Sequence, residues 1–145
     1  MESPSMSSIS ILAVEDEAIT LEFFFITLVK KYPGYHIYKA LNGKSGLELF
    51  KTHTPDIVIT DLSMPEISGM QMVGEIRAIK PDTKFIIVTG DMGKLTEEAG
   101  KDGLETELYI SKPVDFIELF TAIEKCVAEI RRSSANLSRP HSPQE

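Results

Sequence analysis

Three carboxylates and one lysine stand at the ends of short apolar runs: Glu15 and Asp16 after ISILAV, Asp61 after DIVIT, and Lys112, followed by Pro113, after LYIS. A further run, FIIVT, ends in Thr89 with Gly90 behind it. If these runs are parallel strands lying side by side, the groups converge beyond one edge of a sheet, where open α/β sheets place their sites. Carboxylates held that close repel one another unless a divalent cation lies among them, and hard oxygen donors of this kind suit magnesium. The lysine then faces an anion. A carboxylate that is both a metal ligand and the neighbour of a lysine is placed to attack the phosphorus of a phosphoryl group.

The elements that must position these groups follow from the hydrophobic pattern. Short runs rich in β-branched residues alternate with longer segments of helical period, the mark of βα units feeding a parallel sheet. Strands are expected at about 9–15, 35–40, 56–60, 84–89 and 107–111, and helices at 18–31, 44–53, 69–80, 94–101 and 116–131. ISILAV, DIVIT and FIIVT are apolar at nearly every position, as strands covered on both faces must be, whereas YHIYKA alternates and reads as an edge. The expected fold class is α/β, a single doubly wound (βα)5 three-layer sandwich. The helix at 94–101 is the least supported, because the surrounding DMGKLTEEAGKDGLETE is polar and carries three glycines. The domain is expected over 8–132, with 1–7 a disordered N-terminal segment and 133–145 a Ser/Pro-rich tail or linker.

At 145 residues and 42% hydrophobic content the chain fits one packed domain. A formal charge of -7, with Arg131–Arg132 as the strongest basic cluster, argues against a nucleic-acid surface, since phosphate backbones demand clustered Lys and Arg. The single cysteine, Cys126, falls in the apolar pattern of the last helix and reads as a core residue. A reducing, cytoplasmic setting is expected: MESPSMSS lacks an apolar signal core and no apolar run reaches the length of a membrane span.

Taken singly, each acidic residue has an ordinary explanation as a turn former or helix cap. Capping explains neither a lysine before proline after the fifth strand nor a threonine before glycine after the fourth. In this combination, ILAVEDE, TDLSMPEISG, VTG and YISKP, each at a strand end and in order, the chain resembles a receiver domain of the two-component response-regulator family (CheY-like) over about Ser8 to Arg132. The resemblance implies a flavodoxin-like strand order 2-1-3-4-5. It also implies Asp61 as phosphoacceptor toward a phosphohistidine on a sensor histidine kinase or histidine phosphotransfer protein. Asp16 would bind magnesium directly, Glu15 through water, and Ser63 by its backbone carbonyl, with Asp61 completing the set. Lys112 and Thr89 would hold the phosphoryl oxygens, Tyr109 would be the switch aromatic, and Lys112–Pro113 would be cis. Glu15 stands where the family more often has Asp, a departure that a water between carboxylate and metal absorbs. A receiver excised from a hybrid kinase or larger regulator, or a degenerate receiver that only binds protein, are the alternatives; the presence of acceptor, metal carboxylates and lysine argues against the second. A haloacid dehalogenase-type phosphatase would carry a second Asp two positions past its nucleophile, where this chain has Ser63.

Phe23, Phe24 and Phe25 are adjacent on the first helix, about 100° apart around its axis, and cannot all face one core. With Phe24 and Leu28 facing the sheet, Leu21, Phe25 and Val29 form an outward stripe. In the resembled family this helix commonly docks against helices carrying the phosphohistidine, so the stripe is expected to bind a partner or a second copy in a homodimer, the alternative being that it is extra core.

Overall fold

The computed structural model describes residues 8–90 and 108–138. Five strands, β1 Ser10–Val14, β2 His36–Ala40, β3 Ile57–Asp61, β4 Lys84–Thr89 and β5 Leu108–Ser111, form one parallel sheet in the order β2-β1-β3-β4-β5. Four helices are described: α1 Ala18–Lys31, α2 Gly43–His53, α3 Gly69–Ile79 and α4 Phe116–Ser138. The helix expected at 94–101 lies outside the described residues.

Side chains alternate across a strand, so each strand feeds two cores. Ile11, Ile57, Ile59, Ile86, Val88 and Ile110 pack beneath Leu28 of α1 and Leu119, Ile123 and Cys126 of α4. Leu12, Val14, Val58, Phe85 and Ile87 point the other way, to Leu47 and Phe50 of α2 and to Met72, Val73 and Ile76 of α3. This two-sided burial is why the central strands carry unbroken apolar runs. The edge strand β2 is only partly buried.

The helix starts are set locally. The Asn42 side chain accepts from the Ser45 N–H at 2.8 Å and the Ser68 hydroxyl from the Gln71 N–H at 3.2 Å. Asp115 caps α4 through the Ile117 N–H at 2.9 Å. Each satisfies a donor that has no partner within its own helix.

The last helix continues through Ser138, seven residues past the expected end at Arg131. Ser133 and Ser134 of the added segment line a hollow of about 180 Å³ with Ile130, Lys80 and, at the starts of β3 and β4, Asp56 and Lys84. Serine costs only a few tenths of a kcal/mol relative to alanine within a helix, so the composition of this segment does not by itself end the helix.

Candidate functional site

Register places the site. Val14 lies opposite Thr60, so Glu15, one residue past the end of β1, is level with Asp61, the last residue of β3. The Glu15 N–H donates to the Ala40 carbonyl at 3.1 Å and keeps that residue in the line of the sheet. Carboxylate oxygens of Glu15, Asp16 and Asp61 come within 4.8 Å of one another. From the other side, the Lys112 ammonium donates to Asp61 Oδ2 at 2.8 Å and lies 3.5 Å from Glu15 Oε1. The Lys112 backbone N–H is itself held by the Thr89 carbonyl at 2.8 Å, and the Lys112–Pro113 peptide is cis.

Burial sets the electrostatics. Glu15 is 1% exposed, and that burial, aided by the neighbouring Asp61 charge, raises its pKa against the opposing pull of the Glu17 N–H and Lys112. The Glu17 N–H donates to Glu15 Oε2 at 3.0 Å. Lys112 shows the reverse balance. Burial alone would lower its pKa, but the hydrogen bond and charge of Asp61, with the charge of Glu15, outweigh that and raise it. The ammonium is thereby fixed in its charged form beside the acidic cluster.

Three carboxylates, one of them exposed, form an all-oxygen donor set that fits a magnesium ion, which prefers few protein oxygens and retained water. Ser63 is exposed in the loop after β3, and its N–H donates to Asp61 Oδ1 at 3.2 Å. Thr89 is buried, at 2% exposure, at the end of β4 and next to Asp61 in the sheet, since Asp61 pairs with Val88. Tyr109 is half-buried in β5 opposite Ile87 and packs against the α2 and α3 core.

The loop from Leu62 to Ser68 shows features that the sequence pattern left unread. Gly69 opens α3, its N–H donating to the Leu62 carbonyl at 3.0 Å, and a Cβ there would fall 2.1 Å from the Asp61 carbonyl oxygen. Glu66 has φ of 66°, a left-handed conformation unusual for a residue with a side chain. The readable signal was Pro65 before it, because proline at the second position of a turn commonly precedes a left-handed third.

The outward stripe of α1 is not the expected one. Phe24 and Leu28 face the sheet as foreseen, at 4% and 0% exposure, but Leu21 joins them at 4%, completing a 21, 24, 28 core stripe. Phe25 is half-buried under the Lys39 ammonium, 4.5 Å from its ring centre, and Lys39 also pairs with Glu22. Of the expected three, only Val29, at 41%, is exposed. The residues that face out are Ile19 at 87%, Phe23 at 63% and Ile26 at 48%, spaced i, i+4, i+7. Phe23 meets Phe116 edge-on at 6.0 Å, which joins the stripe to the start of α4, where Ile117 is also exposed. Between them a groove of about 490 Å³, lined by Phe23, Phe24, Pro113, Val114 and Phe116, opens beside Lys112. Among the described residues no helix is long and apolar enough to cross a membrane.

Residues 11–124 match the family described as the response regulator receiver domain. A transcriptional regulatory protein of Bacillus subtilis, YesN, is 30% identical over 87% of this chain and 34% of its own length. The cell cycle transcriptional regulator CtrA of Caulobacter vibrioides is 28% identical over 87% of this chain and 52% of its own. The chain thus spans between about a third and half of these two relatives. Among solved structures, a response regulator receiver domain protein from Clostridium thermocellum superposes with a TM-score of 0.72 at 32% identity, covering 87% of this chain and 97% of that one. With the acidic cluster and its lysine at the carboxyl edge of a 2-1-3-4-5 sheet, this match means that the chain belongs to the receiver domain family of two-component response regulators.

Proposed function

We propose that the chain accepts a phosphoryl group on Asp61 from a phosphohistidine of a sensor histidine kinase or a histidine phosphotransfer protein, in a magnesium-dependent reaction. The observation that carries this reading is the Asp61–Lys112 contact of 2.8 Å inside a cluster of three carboxylates. A lone structural ion pair requires no further acid; here two more carboxylates stand within 4.8 Å.

In the reaction an Asp61 oxygen forms a bond to phosphorus as the P–N bond to the histidine ring breaks, and the departing imidazole takes up a proton. The Ser63 N–H and the Lys112 ammonium fix the two Asp61 oxygens, so the nucleophile is oriented before the donor arrives. Glu15, Asp16, Asp61 and the Ser63 carbonyl would hold magnesium, which when bound neutralises charge on the phosphoryl oxygens and the carboxylates. Lys112 follows the transferred oxygens, and the Thr89 hydroxyl, at the adjacent strand end, donates to the phosphoryl group. Movement of Thr89 toward that group draws the half-buried Tyr109 further into the core and alters the β4–β5 side of the domain.

The donor's helix docks on the exposed α1 face, now Ile19, Phe23 and Ile26 with Ile117, because this surface adjoins the groove that leads to Lys112. A second copy on the same face is the competing occupant.

The deciding experiment is intact-mass analysis after incubation with acetyl phosphate, with and without magnesium, on the wild type and Asp61→Asn. A phosphoryl adduct is expected only on the wild type and only with magnesium. Equal labelling of the variant removes Asp61 as acceptor.

A further inference from the structure

The loop after Asp61 is braced from outside by α2. The first residue of that helix, Gly43, is buried, and a Cβ built on it would fall 2.7 Å from the Ile67 carbonyl oxygen and 2.9 Å from the Ile67 Cβ. Real Cβ atoms do not approach that closely, so any side chain at 43 displaces either the helix or the loop. The helix is the stiffer of the two. Its start is capped by Asn42, and one turn on, Gly46 lies so close to the core that a Cβ would meet Met72 Sδ at 3.0 Å and Val14 Cγ2 at 3.1 Å. Leu47 and Phe50 are then fully packed, at 6% and 0% exposure. The loop, in contrast, carries the left-handed Glu66 next to Ile67 and is exposed at Ser63, Pro65 and Glu66. Its far end is tied directly to the acceptor, since Gly69 seats the Asp61 carbonyl.

We propose that Gly43 is a positioning residue for the acceptor loop. By lacking a side chain it lets Ile67 rest against α2, which fixes the backbone of Ser63 with respect to Asp61. The inference rests on the proposed function, in which the Ser63 carbonyl is a magnesium ligand. Gly43 is 18 residues from the acceptor in sequence and touches neither donor nor metal, so its effect is transmitted entirely by the loop.

The test is magnesium affinity by titration calorimetry on the wild type, Gly43→Ala, Ile67→Ala and, as control, Gly74→Ala, whose added Cβ meets nothing within 4 Å. Measurement well below each melting temperature leaves the reading unmoved by a merely less stable fold. Gly43→Ala is expected to weaken magnesium roughly ten-fold, the scale of lost support around a metal ligand. Ile67→Ala, which keeps the carbonyl and Cβ but removes the Cγ2 that also faces Gly43, weakens it in the same direction by less, and Gly74→Ala leaves it unchanged. Acetyl phosphate labelling of Gly43→Ala should be slow at low magnesium and recover at saturation. A folded Gly43→Ala with wild-type magnesium affinity overturns the inference. If that variant does not fold, wild-type affinity in Ile67→Ala overturns it instead. A wild type that binds no magnesium removes the proposed function and this inference together, whereas binding by the wild type and equally by both variants removes the inference alone.

Discussion

Replacing Asp16 with asparagine should stabilise the metal-free fold and abolish most of the stabilisation that magnesium confers. Asp16 is the exposed member of a cluster whose carboxylate oxygens lie within 4.8 Å of one another, and Lys112 contacts Asp61 and Glu15 instead. At that separation two unit charges repel by about 0.9 kcal/mol even at the dielectric constant of water. Asp16 faces two such neighbours, and counter-ions screen part of the total, which leaves a net relief of about 1 kcal/mol. In a chain of this size that raises the melting temperature by about 3–5 °C. Magnesium at ten times its dissociation constant adds about 1.4 kcal/mol to the wild type through mass action. The variant, lacking a charged ligand, gains a fraction of this, so its advantage in EDTA shrinks or inverts as magnesium rises. Thermal melts of both proteins across a magnesium series at matched ionic strength display the crossing. If Asp16→Asn is less stable than the wild type in EDTA, the cluster is not under repulsion. If both proteins gain equally from magnesium, Asp16 is not a ligand.

Phe23→Ser should weaken transfer from a phosphohistidine donor by ten-fold or more, on the order of 1.4 kcal/mol, while acetyl phosphate still labels Asp61 normally; normal transfer to the folded variant would move the docking face elsewhere. Leu21→Ser should instead lower stability by about 3 kcal/mol, because Leu21 is core, and denaturant melts separate the two cases. Glu66→Gly should stabilise by about 1 kcal/mol, since glycine takes the left-handed conformation without a Cβ penalty, and an unchanged or lowered midpoint would mean that the Glu66 side chain compensates its backbone. The Tyr32 hydroxyl donates to Glu124 at 3.1 Å, and burial with this partner raises its pKa well above the usual phenol value. Its contribution to stability is therefore whole below the unfolded pKa of about 10 and declines as pH rises past it. Tyr32→Phe should cost about 1 kcal/mol at neutral pH and flatten the alkaline limb of the stability profile; an equally steep limb in the variant would assign the decline to other groups.

The sheet and the charged residues at its edge were readable because both depend on local rules. Central strands buried on two faces must be apolar throughout, and ILAV, IVIT and FIIVT are, so the positions of Glu15, Asp61, Thr89 and Lys112 followed from where those runs stop. The phase of α1 was not readable. Eleven of its fourteen residues from Ala18 to Lys31 are apolar or threonine, so several stripes of helical spacing coexist, and only packing against the sheet selects 21, 24 and 28 as the buried one. The last turn of α4 was hidden for a related reason. RRSSANLS has a tail-like composition, and the residues its helix borders across a hollow, Asp56 and Lys84 at the starts of β3 and β4, are distant in sequence. The brace at Gly43 was invisible because a glycine near a helix start has a ready local explanation, and the atom that requires it belongs to Ile67.

The single thiol of the chain, Cys126, is 3% exposed in the layer between α4 and the sheet. It also lines a hollow of about 270 Å³ with Leu108, Lys125 and Glu129, but offers a thiol reagent little surface there, so its rate of modification rises with the fraction of time the layer is open. The protein thus carries an internal clock for separation of α4 from the strands, with no engineered probe. Because α4 begins a few residues after Lys112, comparing that clock with the site filled and empty would measure how much of the chemistry at the strand ends is felt as grip on the final helix.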